Sequence, residues 1–287
     1  MLTSLSDRAL VARAIEENAA QLLLTMGRAG GGEEYRDAHI HWTIGGSPID
    51  YHNAVVHAQL TAETVHTAIT GVVAKFREHN VPGSWHLTEA MMPPDLGERL
   101  SAHGFVNAGD EPGMAADLHA LNENQAVPPA LSIEQVKNEA DLQAWARTLA
   151  LGFGEGEREA NWVRDVYRVI GLNDDSPFRH YLAWLNETPV GTASVFMDGD
   201  TAGIYFVMTA PEARRQGIGA AVTLAALRGA RELGYRVGVL GSSEPGHPVY
   251  QRLGFADYCR MDIYEWHPPS YEDEGASGSG TAKGEGI

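Results

Sequence analysis

Pro211-Glu212-Ala213-Arg214-Arg215-Gln216-Gly217-Ile218-Gly219-Ala220 is the stretch on which the fold turns. It follows an apolar, β-rich run at 202–209 and opens a run of small residues with helical character at 220–233. Strand, glycine-bearing turn and helix N-terminus make a geometry that holds phosphate. The first N–H groups of a helix have no partner within it, and the helix dipole makes that end positive. Gly217 and Gly219 remove Cβ atoms that would keep a pyrophosphate from the main chain. Arg214 and Arg215 add cationic donors at the rim.

Three phosphate loops compete for this stretch. A dinucleotide fingerprint needs a third glycine, and Val222 stands at its place. A Walker loop needs Lys followed by Ser or Thr, and no Lys is near. What remains is V-x-x-x-P-x-x-R-x-x-G-I-G, residues 207–219. This string resembles the acetyl-CoA loop of the GNAT acyltransferases. Downstream come a strand-like run at 235–240 and Pro248-Val249-Tyr250-Gln251-Arg252-Leu253-Gly254-Phe255. Its tyrosine, four residues before the Gly of a Gly-Phe pair, is similar to the one that GNAT proteins carry beside the thioester. The two motifs span residues 207–255, and the resemblance implies a GNAT domain over roughly 129–266.

The resemblance implies a fold of class α/β (α+β), with mixed central sheets flanked by helices, and acetyl-CoA as co-substrate. The main chain of Val207, Met208 and Thr209 would bond the pantetheine arm. Arg214, Arg215, Gln216, Gly217, Ile218, Gly219 and Ala220 would hold the pyrophosphate. Tyr250 would be the general acid facing the sulfur; the plain reading is a packing tyrosine with one polar tip. The base is unassigned. Run 202–209 has no Glu, Asp198 and Asp200 sit in a turn, and Glu244 suits a cap. His247 could relay a proton through water. Trp145, Phe153, Trp162 and Tyr167 flank the region that forms the substrate wall in this family, or are core residues at helical spacing. The expected acceptor is a primary amine, on a small molecule before a protein. A non-catalytic acyl-CoA-binding sensor and a protein acetyltransferase are the competing functions.

Length and composition agree with such a chain. Its 287 residues suggest about two domains. Its 44% hydrophobic content is ordinary for a globular protein. No apolar run reaches the ~18 residues of a membrane span, and Asp7, Glu16 and Glu17 do not suit a signal peptide. Cys259 is the only cysteine, which excludes an intramolecular disulfide and cysteine-based zinc clusters. These features point to a cytoplasmic protein. The net charge of −17 is uneven. Residues 1–130 hold 16 acids and 7 bases, residues 131–264 hold 17 and 13, and residues 265–287 hold 5 and 1. The segment with the loop is the least acidic for its length, as suits a polyanionic co-substrate. The overall acidity argues against nucleic acid and is compatible with a cationic amine; solubility alone would also account for it. No membrane partner is expected, and a homodimer is left open.

Periodicity predicts helices over 1–26, 61–79, 95–103, 139–151 and 158–170. Strands are predicted at 39–44, 49–60, 84–87, 132–136, 180–185, 189–197, 202–209 and 256–266. Residues 27–34, with four glycines, read as a turn, and 105–118 as a hairpin. The domains expected are 1–121, a linker at 122–130, 131–266, and a disordered tail at 267–287 of Gly, Ser, Glu and Ala. A weak repeat joins the halves. Aligning the Gly-Phe pairs at 104–105 and 254–255 puts Leu100 opposite Tyr250. The first half has no R-x-x-G-x-G, so it reads as a degenerate partner in a tandem. Nine of the twelve histidines lie in residues 1–130. His39 and His41 share a strand face, with His52 and His57 on the next strand. Two such strands could hold a metal, but half-exposed polar positions explain them as well, and no metal is expected.

Overall fold

The structure is a computed structural model that describes residues 4–154 and 156–269. The chain divides into two compact units that do not coincide with its two halves. The first unit comprises residues 4–19 and 112–259, and the second comprises residues 20–111 and 260–269. Three elements cross the boundary along the chain: α1 (Arg8–Ala29), β5 (Val106–Asp117) and β11 (Ala256–Trp266).

The first unit contains β6 (Leu131–Gln135), α4 (Glu139–Phe153), α5 (Glu157–Ile170), β7 (Phe178–Leu185), β8 (Thr188–Asp198), β9 (Thr201–Thr209), α6 (Ile218–Glu232), β10 (Val237–Gly241) and α7 (His247–Leu253). Its strands run in the order β5-β10-β9-β8-β7-β6. Tight turns join β7 to β8 and β8 to β9. Asn186 and Glu187 take positive φ in the first and Gly199 in the second, as two-residue hairpins require. Helix α4 starts on Asn138, whose side chain accepts the Asp141 N–H at 3.0 Å. It ends on Gly154 in the left-handed region. The core under α6 joins Tyr181, Ala183, Val195 and Ile204 of the sheet to Val222, Leu224 and Leu227 of the helix. Alternation along the strands puts His180, Ser194 and Tyr205, paired across β7, β8 and β9, on the opposite face.

The second unit contains β1 (Glu33–Arg36), β2 (Ile40–Ile44), β3 (Ala54–Ala58), α2 (Val65–His79), β4 (Gly83–Thr88) and α3 (Leu96–Ala102). Its strand order is β1-β2-β3-β4-β11. Val65, Ile69, Val72, Val73 and Phe76 of α2 are buried on Val55, Trp85 and Trp266. The order of elements repeats that of the first unit: β3, α2, β4, α3 correspond to β9, α6, β10, α7. In each unit one strand comes from the other half of the sequence. Gly113–Asp117 of β5 pair with β10, and Met261–Trp266 of β11 pair with β4.

This exchange explains why 105–118 is not the hairpin expected: it is one strand, with Gly109 at positive φ, that passes from one unit into the other. Residues 33–36 form β1 rather than a turn, on the pairing of Glu33 to Arg36 with Ile44 to His41. Residues 49–60 hold a 3-10 turn at Asp50–His52 before β3 starts. The expected disordered tail lies, from residue 270 onward, outside the described residues.

Candidate acyl-CoA site

The site begins where two strands part. β9 and β10 are parallel and pair only over Thr201–Gly203 and Val237–Val239, although β9 runs six residues further. On its other edge β9 stays with β8. There the register slips between Thr192 and Ser194. The slip is a bulge at Phe206, which sits in the left-handed region at φ 54°. Thr192 Oγ1 donates to the Phe206 carbonyl at 2.8 Å and stabilises the bulge. Beyond it the Ala210 N–H donates to Val190 O at 2.8 Å. Alternation then turns the Met208 main-chain groups toward β8 and those of Val207 and Thr209 toward the side where β10 has departed. The three residues expected to meet a pantetheine arm therefore divide: Val207 and Thr209 offer main chain to the opening, and Met208 braces it. The Met208 side chain packs against Gly152 of α4, where no Cβ would fit. The Thr209 hydroxyl is buried without a hydrogen-bond partner among the described residues.

The phosphate-type turn follows directly. Pro211–Ala213 form a 3-10 turn, and Arg215 and Gly217 both take positive φ, at 67° and 78°. Gly217 is the N-cap of α6 and supplies no capping side chain, and the first turn carries no acid. The first intrahelical bond runs from the Ala221 N–H to Gly217 O at 3.0 Å, so the N–H groups of Ile218, Gly219 and Ala220 precede it. Gly191 lets this turn sit close to β8: a Cβ there would lie 3.0 Å from Ile218 and 3.1 Å from Met208 O. Arg215, Gln216 and Gly217 are exposed. Arg214 turns back instead, donating from Nε to Thr209 O at 3.3 Å and from Nη2 to Gly152 O at 3.2 Å. It ties the loop to the ends of β9 and α4. A strand edge opened for amide pairing, leading to an uncapped, acid-free helix N-terminus, fits an extended amide-bearing chain that ends in a polyphosphate.

Sequence reasoning gave no sign of how the linker runs. Asn122 bonds Leu253 O and Arg252 O. The Glu123 carboxylate takes Arg228 at 2.8 Å and Arg231 at 2.7 Å, which holds it below the usual carboxylate range. Further on, the Ala126 carbonyl lies against Gly217 so closely that a Cβ would collide with it. The linker is a strap along α6, not a free tether.

Tyr250 is buried on α7, in the same core as Val207, Ala210 and Leu253, with its ring 6.0 Å from Phe255. His247 Nε2 lies 2.8 Å from Asp257 Oδ1. Glu244 is exposed in the turn after β10. Trp145 and Tyr167 are fully buried and pack on one another, on His180 and on Phe206. Trp162 and Phe153 are half-buried. His180, which the sequence did not single out, is buried with Nδ1 2.6 Å from Ser194 Oγ. Burial, with the Arg179 charge adding to it, pushes its pKa down to about 3. The histidines of the second unit disperse: His39 meets Gln59 O, His41 meets Glu34, and His52 is buried beside Ser47.

The second unit repeats the parting of strands and then closes it. β3 and β4 pair only at Ala54–Ser84 and Val55–Trp85. Past that point the Met92 N–H donates to Ala58 O at 3.1 Å, and Met92 O accepts from the Leu60 N–H at 3.2 Å. The Gln59 side-chain amide donates to Ala90 O at 2.6 Å. The chain's own backbone thus takes the amide positions that stay open on β9. At the place of Tyr250, Leu100 is buried.

The sequence model of the Acetyltransferase (GNAT) family matches residues 142–255, which hold the parted strands, the loop and Tyr250. Over those residues the chain is similar to the GNAT family. It is 25% identical over 179 residues to a mycothiol acetyltransferase of Geodermatophilus obscurus, a match that spans 58% of each chain. Among solved structures, a GCN5-related N-acetyltransferase from Kribbella flavida matches 87% of this chain and 94% of its own, with TM-score 0.66 and 18% identity. A tandem GNAT protein from the clavulanic acid biosynthesis pathway matches 79% and 78%, with TM-score 0.55 and 16% identity. The last two show likeness of fold alone.

Proposed function

We propose that this protein transfers acetyl from acetyl-CoA to a primary amine of a small molecule. One observation carries the reading: the edge of β9 left open from Ile204 to Thr209 leads into an uncapped helix N-terminus. Acetyl-CoA supplies the activated thioester. Val207 and Thr209 bind its arm through the main chain. Ile218, Gly219 and Ala220 offer N–H groups to the pyrophosphate, with Arg215 at the rim and Arg214 holding the loop in shape. Tyr250 delivers a proton to the sulfur as the C–S bond breaks and the N–C bond forms; the surplus proton of the amine passes to water. β9 carries no carboxylate, and an amine that enters neutral or loses its proton to solvent needs no dedicated base. A cytoplasmic location suits these substrates, and among the described residues no helix is long and apolar enough to cross a membrane.

The test is thiol release from acetyl-CoA against a panel of primary amines. Mycothiol-related amines come first, because the curated relative is a mycothiol acetyltransferase. Turnover with a small amine supports the reading. Tight acetyl-CoA binding with no turnover on any amine or lysine peptide would make the chain an acyl-CoA sensor instead.

A further inference from the structure

Two further histidines of the second unit meet nitrogen to nitrogen. His66 lies on the first turn of α2, and His103 directly follows α3 as its C-cap. His103 Nε2 stands 2.9 Å from His66 Nδ1, and the ring centroids are 4.8 Å apart. On its other side, His103 Nδ1 stands 2.7 Å from the Arg99 carbonyl. A carbonyl only accepts, so His103 carries its proton on Nδ1 and aims its Nε2 lone pair at His66. In the neutral pair the proton of the N–H···N bond therefore belongs to His66 Nδ1.

The same two nitrogens fit one metal ion. Imidazole nitrogens at about 2.0 Å from one ion stand about 2.9 Å apart across a right angle and about 3.3 Å across the tetrahedral angle. No proton need leave the pair. His66 moves its proton to Nε2, and both facing nitrogens then present lone pairs to one point. The bond from His103 Nδ1 to Arg99 O is the outer contact that holds a ligating imidazole in one tautomer and one orientation. The position is open to solvent, since His66 is exposed and the hydrogen bond between the rings is itself exposed. Residues 1–130 hold 16 acids and 7 bases, a balance that favours a cationic ligand. Among the described residues no third His, Cys, Asp or Glu completes a ligand group, so water fills the other positions.

We propose that His66 Nδ1 and His103 Nε2 form a two-nitrogen site for a divalent transition cation of the class that imidazole binds, Cu(II) or Zn(II). The site lies between α2 and α3, the counterparts of α6 and α7, and does not depend on the acetyl-transfer reading. Its affinity is micromolar, below that of structural sites with four protein ligands, because two side chains supply only part of the shell. The 2.9 Å spacing matches the right angle of a square-planar ion without movement. Cu(II) therefore binds more tightly than Zn(II), as the general order of divalent affinities also requires. Mg(II), which takes oxygen ligands, is refused.

The probes are the metals themselves. The intact chain, without an affinity tag, is titrated calorimetrically with copper(II), zinc and magnesium chlorides, and thermal melting checks each variant for folding. Wild type is expected to take one Cu(II) per chain in the micromolar range, with Zn(II) weaker and Mg(II) silent. His66→Gln and His103→Gln should each weaken Cu(II) binding at least tenfold. The double variant should lose little more, because both nitrogens serve one ion. Electron paramagnetic resonance at one equivalent of Cu(II) should show two coupled nitrogens in wild type and fewer in either single variant. A wild type with no saturable binding at millimolar Cu(II) overturns the proposal. So does wild-type affinity in folded His66→Gln, which would assign the ion to other histidines, and so does a wild-type spectrum with a single nitrogen. His66 is exposed, so its variant should fold; if His103→Gln does not, His66→Gln decides alone.

Discussion

Tyr250 poses the sharpest question at the scale of single residues. It is buried on α7 in the same core as Val207. Tyr250→Phe keeps the ring and removes only the proton. The expected outcome is a fall in kcat of roughly 10²-fold, the usual reach of a general acid, with acetyl-CoA affinity nearly intact. Unchanged single-turnover rates in the variant would leave Tyr250 a packing residue. His180 gives a second prediction, in pH. It is buried neutral, with its pKa at about 3 against the ordinary 6.5. Unfolded chains therefore take up a proton that the folded protein refuses. Stability is full above pH ~6.5 and falls as pH drops toward 3, with a slope of about 1.4 kcal/mol per pH unit from this one group. His180→Phe should flatten the decline in melting temperature between about pH 6 and pH 4. His52 and His86, both pushed down to about 4 by burial, act in the same direction and will leave a residual slope. Tyr250 was legible because its signal is local, a short helix ending on Gly-Phe. The pairing of His66 with His103 was not. It spans 37 positions, and neither histidine carries a mark of that contact in its own stretch.

At the scale of elements, the start of α6 presents main-chain N–H groups that no side chain caps, and the side chains around it play unequal parts. Arg214 is spent inside the fold on Thr209 O and Gly152 O, whereas Arg215 is exposed. Arg215→Ala should weaken acetyl-CoA binding by roughly threefold to tenfold at low salt, and the difference should shrink as salt rises, because an exposed charge is screened. Calorimetric titration at two ionic strengths measures both. A salt-independent loss would mean that Arg215 acts through its left-handed backbone and not its charge. Gly217 is the wrong position for such a test. Any side chain there strains a φ of 78° and strikes the Ala126 carbonyl, so a loss of binding would not distinguish phosphate contact from a displaced linker. The loop itself was legible, since strand, proline, arginine and paired glycines fall in fixed sequence. The parting of β9 and β10 was not. It depends on a bulge that Phe206 adopts against its own steric preference, held by Thr192 from the neighbouring strand. Such conformations come from tertiary contacts that no run of apolar residues encodes.

At the scale of the whole molecule, the sequence carried a weak repeat between its halves, and the structure shows two units that each borrow a strand. The sequence marked 256–266 as a strand and read 105–118 as a hairpin rather than one strand, because partner choice between chemically similar strands is not written in either strand alone. The consequence is practical. A fragment ending near residue 125 would lack Met261–Trp266, the partner of β4, and would carry Gly113–Asp117 without β10. Stoichiometry must therefore be measured on the intact chain. We predict one acetyl-CoA per chain. The second unit has no arginine-glycine loop, and between its parted strands Met92 already bonds Ala58 and Leu60. To admit a pantetheine arm there, the chain would have to break those two main-chain bonds and the Gln59–Ala90 bond, each worth about 1 kcal/mol net and more if left unmade when buried. It would recover no pyrophosphate contact in return. Calorimetry should give a stoichiometry near one. A protein with Tyr250→Phe should keep that value, since it binds but turns over slowly. A stoichiometry near two, with equal affinities, would mean that the Ala90–Met92 segment yields to the ligand and that the second unit kept the binding as well as the fold.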